Sequence, residues 1–148
     1  MKENLLISTC LLGNNTKYNG KNNLNQKALE LEKYFNLIKI CPEMDGGLPC
    51  PRDPSEILGD KVISSNNKDV TLEYTKGALN ALELAKKYNV RYAVLKEKSP
   101  SCGVHLIYDG TFNGVKIQGL GITTRLLVEN GITVFNEDEI DSLLELVK

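Results

Sequence analysis

Four cysteines, Cys10, Cys41, Cys50 and Cys102, are the residues of this chain best suited to chemistry. No two of them form a C-x-x-C pair, which argues against a zinc ribbon and against a thioredoxin-like redox pair. Cys10 follows the apolar run Leu5-Leu6-Ile7, and Cys41 follows Leu37-Ile38-Lys39-Ile40. Cys102 sits in the proline-stiffened loop Ser99-Pro100-Ser101-Cys102-Gly103, shortly after Ala93-Val94-Leu95. Any site these residues form is made by folding rather than by local spacing. Reduced thiols act as soft metal ligands or as nucleophiles. Three of them can hold a [4Fe–4S] cluster with one iron left open as a Lewis acid, to which a soft sulfur atom of a substrate is suited. Taken singly, each fits equally well as a small buried hydrophobe. Cys10 is excluded as a phosphatase nucleophile, because a C-x5-R loop needs arginine where this chain has Thr16.

Other residues near the cysteines also carry chemical potential. Glu43 and its rival Asp45 are carboxylates just past Cys41, and either can be a solvated loop residue or an acid/base group. Ser99 and Ser101 can orient a water or a substrate, or can simply bond the backbone of the Pro100 turn. His105, the only histidine, suggests a Cys-His dyad with Cys102, although the start of a hairpin is more often a structural place for it. Arg52 is expected to anchor a substrate oxygen or to pair with Asp45, Asp53 or Glu56 and so hold its loop. Gly119-Leu120-Gly121 at the head of a helix suggests a phosphate cradle, weakened by the missing third glycine.

The elements that must position these groups follow from periodicity. Asn4 to Thr9, Leu37 to Ile40, Arg91 to Leu95 and Ile132 to Phe135 read as strands, the first as a continuous apolar run suited to a sheet covered on both faces. Helices are expected over 25–34, 70–88, 119–129 and 137–147. In the second of these, Tyr74, Ala78, Leu79, Leu82, Ala85 and Tyr88 form an apolar stripe. Asp69 or Thr71 is expected to cap it. Prolines and glycines between Pro42 and Pro54 argue against regular structure there, the polar stretch 59–69 reads as mobile, and 107–117 reads as a small hairpin turning at Asp109-Gly110 or Asn113-Gly114. Strands alternating with helices predict a three-layer α/β fold, a single domain over 1–148 with a mainly parallel, Rossmann-like sheet and a small β-hairpin insertion. Parallel strands end on one edge, so the loops bearing Cys10, Cys41 and Cys102 are expected to share a rim.

Composition narrows the function. With 41% apolar and 25% charged residues, the 148-residue chain buries its own core. A formal charge of −1 supplies no overall basic field for nucleic acid, so a small neutral substrate fits better than a polyanion. No apolar run is long enough for a membrane span or a signal peptide, and a cytoplasmic location is expected, where thiols stay reduced.

The motifs also carry a resemblance. Ser8-Thr9-Cys10-Leu11-Leu12-Gly13, Tyr18-Asn19-Gly20, Cys41-Pro42-Glu43, Gly46-Gly47-Leu48-Pro49, Pro51-Arg52, Ser99-Pro100-Ser101-Cys102-Gly103 and Tyr108-Asp109-Gly110-Thr111-Phe112 resemble, in order, the thiouracil desulfurase (TudS) family. The resemblance runs from Ser8 to about Gly131. It implies a [4Fe–4S] cluster held by Cys10, Cys41 and Cys102, with Cys50 outside the ligand set, and non-redox removal of sulfur from a thiolated pyrimidine base. Glu43 resembles the family's acid/base carboxylate, and Ser101, or else Ser99, the hydroxyl that orients water or substrate. Two further readings stay open: sulfur transfer to, or removal from, thiolated tRNA nucleosides, and a non-catalytic module that senses metal or oxidant through its thiols.

Overall fold

The computed structural model describes residues 2–147. Four parallel strands, β1 (Glu3–Ser8), β2 (Phe35–Ile40), β5 (Tyr92–Leu95) and β8 (Thr133–Asn136), form one sheet in the order β2-β1-β5-β8. β1 lies inside the sheet, and its Leu5, Leu6 and Ile7 are fully buried. Leu6 packs with Ile40, Ala81, Leu82, Ala85 and Leu127 on one face. Leu5 and Ile7 pack with Ala28, Leu31, Ile140 and Leu143 on the other. Each such side chain stabilises by about 2 kcal/mol when taken from water, so the strand leading to Cys10 is held from both faces. The helices covering the faces are α3 (Thr71–Lys87) and α4 (Ile122–Glu129) on one side, and α1 (Gln26–Glu30) and α5 (Ile140–Val147) on the other. This is the three-layer parallel arrangement expected from the sequence. No helix among the described residues is long and apolar enough to cross a membrane.

Several elements differ from expectation. The first helix is a single turn, with Asn25 accepting from the Ala28 amide at 3.1 Å, and it runs on into a 3-10 turn at Leu31–Lys33. Between Pro42 and Pro54 the chain does form a short helix, α2 (Pro42–Asp45), because Pro42 occupies the first helical position, where no amide hydrogen is needed. The segment 59–69 carries regular structure: β3 (Ser55–Leu58) and β4 (Lys61–Ser64) pair as a hairpin around Gly59-Asp60, with Ile57 opposite Val62. Its signal was a Gly-Asp turn between two apolar pairs, Ile57-Leu58 and Val62-Ile63, outweighed by the polar residues after it.

In α3 the buried face is Tyr74, Gly77, Ala78, Ala81, Leu82 and Ala85, while Leu79 and Tyr88 are exposed. Asp69 rather than Thr71 organises its start, its carboxylate accepting the Thr71 amide at 3.0 Å. α4 begins at Ile122 and α5 at Ile140, later than expected. The second hairpin, β6 (Leu106–Tyr108) with β7 (Lys116–Gln118), closes a loop in which Gly110 and Gly114 both take left-handed backbone.

Candidate active site

The parallel register brings the strand ends level, with Ser8 opposite Ile40 and Ile7 opposite Val94. Cys10 follows in a 3-10 turn (Thr9–Leu12), Cys41 precedes α2, and Cys102 lies in the loop after β5. All three line one cleft of about 510 Å³, together with Glu43, Arg52, Ser99, Tyr108 and Phe112. Cys50 is absent from its walls; its thiol faces the Asn15 carbonyl oxygen at 3.1 Å.

Each thiol is held by its own surroundings. Asn23 Nδ2 donates to Cys10 Sγ at 3.4 Å. Cys41 Sγ faces the Thr16 carbonyl at 3.8 Å. Cys102 is the most buried, and its loop is fixed from two directions. From behind, α4 offers its first amides: Ile122 N–H donates to Pro100 O and Thr123 N–H to Ser101 O, both at 2.8 Å. In the glycine segment read as a phosphate cradle, Gly119 N–H donates to His105 O at 3.0 Å and Gly121 N–H to Gly103 O at 2.8 Å, so that expectation is corrected: these amides and the helix N-terminus are spent on the cysteine loop and the residues after it. From the other side, the buried carboxylate of Glu97 accepts the amides of Val104 at 2.7 Å, His105 at 3.0 Å and Leu106 at 3.1 Å, and Asn136 Nδ2 at 2.8 Å. Burial alone raises the Glu97 pKa, and these donors outweigh it and hold the carboxyl at about 2.

Glu43 is a clamped carboxylate in the cleft wall. Its Oε1 accepts from Tyr74 Oη at 2.7 Å and from Arg52 Nε at 3.2 Å. Its Oε2 accepts from Ser99 Oγ at 3.1 Å, and that hydroxyl in turn accepts the amides of Ser101 and Cys102. Arg52 also donates to the carbonyls of Thr16 and Pro49. The arginine therefore holds its loop, but its acidic partner is Glu43 rather than Asp45, Asp53 or Glu56. Asp45 faces the Cys41 amide, and burial pushes its pKa up. Ser101 is fully buried with its hydroxyl 2.7 Å from Thr123 Oγ1, off the cleft, whereas Ser99 lines it. His105 points outward and meets Glu139 at 3.1 Å. Tyr74 and Asn23 were missed in the sequence. The available signal was a tyrosine on the buried face of α3, where a phenol needs a polar partner.

The donor set suits an iron–sulfur group. Burial pushes all three thiols up, Cys102 most strongly, so a cation among them is what would favour thiolates. Thr16 Oγ1, in the cleft wall, is buried without a partner among the described residues. No three acidic, histidine or cysteine side chains among the described residues close tightly enough for a single metal ion; the three thiols line a cleft of the size that accepts a small organic molecule.

Fold and site together define a parallel α/β protein with a thiol-lined cleft at the carboxyl ends of its strands. The chain belongs to the 2-thiouracil desulfurase family, whose profile matches residues 5–139. It is 39% identical over 150 residues to the uncharacterized protein YbbK of Bacillus subtilis (strain 168), an alignment spanning 95% of this chain and 99% of that one. It is also similar to a solved structure of the [4Fe-4S]-dependent thiouracil desulfidase TudS (DUF523Vcz), at 42% identity and a TM-score of 0.91, covering 99% of this chain and 100% of that one.

Proposed function

We propose that this protein is an iron–sulfur-dependent desulfidase that hydrolyses the C–S bond of a thiolated pyrimidine of the 2-thiouracil kind, giving the oxo base and hydrogen sulfide. The observation that carries this reading is the meeting of Cys10, Cys41, Cys102 and the clamped Glu43 in one cleft. The three cysteines would hold a [4Fe–4S] cluster. When bound, it supplies a Lewis-acidic iron for the thiocarbonyl sulfur. The exchange is C=S plus water to C=O plus hydrogen sulfide, with no electron transferred.

The chain's own residues handle the proton. Tyr74 and Arg52 fix Oε1 of Glu43, so Oε2, beside Ser99, is the oxygen left to accept a proton from the attacking water and return it to a ring nitrogen. Ser99 orients that oxygen. Ser101, buried off the cleft with its hydroxyl on Thr123, braces the cysteine loop and does not touch substrate. A neutral free base suits a chain of charge −1 better than tRNA does, and the reducing cytoplasm suits free thiols.

Anaerobic reconstitution followed by incubation with 2-thiouracil tests the reading. Equimolar sulfide and uracil are expected. A chain that binds no iron sinks it, and a stable cluster without sulfide release replaces it with sulfur transfer or an RNA substrate.

A further inference from the structure

Phe112 differs from the other aromatic residues of the cleft in how it is held. Its backbone is left-handed, with φ of 58°, a conformation uncommon for a bulky side chain that persists only where the surroundings impose it. The surroundings are specific. Oε1 of Glu56, a buried residue of β3, accepts the amides of Gly110 at 3.0 Å and Phe112 at 3.2 Å. The loop lies so close to β3 that a Cβ on Gly110 would stand 2.8 Å from the Ile57 carbonyl oxygen. Asp109 closes its base, donating its amide to Val115 O at 3.0 Å and accepting from the Thr111 amide at 3.0 Å. Yet the phenylalanine this fixed loop presents is 39% exposed, and it lines the cysteine cleft together with Tyr108. A strained, anchored backbone thus displays an apolar ring to a cleft instead of burying it.

We propose that Phe112 is the shelf on which the flat ring of the substrate stacks as its sulfur reaches the cysteines, and that Glu56 is the positioning residue that sets the shelf. The identity of the ring as a thio-base rests on the desulfidase reading above. A stacking shelf selects for planar heteroaromatic rings whatever their exocyclic atoms, so the oxo product binds the same face.

The test uses reconstituted holoprotein and two readouts, equilibrium binding of 2-thiouracil and of uracil, and steady-state sulfide release. Phe112→Leu and Phe112→Ala are expected to weaken binding of both rings by about fivefold to about 150-fold, the range for loss of one base–aromatic stack. The loss falls on KM more than on kcat, with iron content and thermal midpoint kept. Phe112→Trp and Phe112→Tyr restore binding, and Glu56→Ala weakens it while Glu56→Gln, which keeps an acceptor oxygen, does so less. Phe112→Leu binding both rings as the wild type does overturns the shelf and leaves the desulfidase reading intact. A wild type that binds the rings through Phe112 but releases no sulfide overturns the desulfidase reading and leaves the shelf. A wild type that binds neither ring overturns the shelf as well.

Discussion

The phenol of Tyr74, in the first turn of α3, donates to Oε1 of Glu43 across 2.7 Å, joining residues 31 positions apart. Burial and the neighbouring carboxylate push the phenol pKa up, so Tyr74 stays protonated and serves as a donor. It leaves Oε2 as the edge of Glu43 that faces Ser99.

Tyr74→Phe removes that donor with little change in shape. A hydrogen bond to a charged group is worth about 1.5–3 kcal/mol, and Arg52 and Ser99 remain on Glu43. We expect kcat for sulfide release to fall roughly tenfold with iron content unchanged. A kcat equal to wild type removes Tyr74 from the positioning of Glu43.

The backbones of α2 and α3 touch with no side chain between them: a Cβ on Gly77 would lie 1.9 Å from the Pro42 carbonyl oxygen. Gly77→Ala must therefore push the Cys41-Pro42-Glu43 turn outward. Overpacking of this kind destabilises by about 1–3 kcal/mol, and a lower thermal midpoint with reduced sulfide release is expected. A variant of unchanged midpoint and rate means the two helices part at no cost.

Cys10→Ser, Cys41→Ser and Cys102→Ser are each expected to lose most iron and acid-labile sulfide after anaerobic reconstitution. Cys50→Ser should keep both, since Cys50 lies off the cleft. Loss of the cluster in Cys50→Ser with retention in Cys41→Ser reverses the ligand assignment.

Glu97 predicts an acid-dependent stability. Its carboxyl is held at about 2 in the folded protein against an ordinary value of 4.5. A depressed folded pKa contributes stability that is fully present above about pH 5 and is lost as the pH falls toward 2, of the order of 2 kcal/mol. Glu97→Gln turns an amide donor toward Asn136 or the backbone donors, which costs about 1–3 kcal/mol at neutral pH. Denaturant titrations at pH 7 and pH 3 should show a smaller loss on acidification in the variant than in the wild type. Equal losses in both assign the acid sensitivity elsewhere.

The chain's local order was legible wherever one pattern acted alone. The apolar run Leu5-Leu6-Ile7 is suited to a doubly covered strand, and strands alternating with helices then point to a parallel sheet with its loops on one edge. That reasoning was enough to bring Cys10, Cys41 and Cys102 to a common rim, and the ordered motifs around them were enough to indicate the family. Only the tertiary structure decided which polar groups meet. Glu43 bonds Tyr74, Arg52 and Ser99 from three different segments, and Glu97 gathers the amides of 104–106 with Asn136. Hydrogen bonds are short and directional, so they depend on how packed backbones approach, and no periodicity in the sequence records that approach. The same reason turned Ser101 inward and Ser99 toward the cleft, two residues that neighbouring positions in a proline turn left indistinguishable.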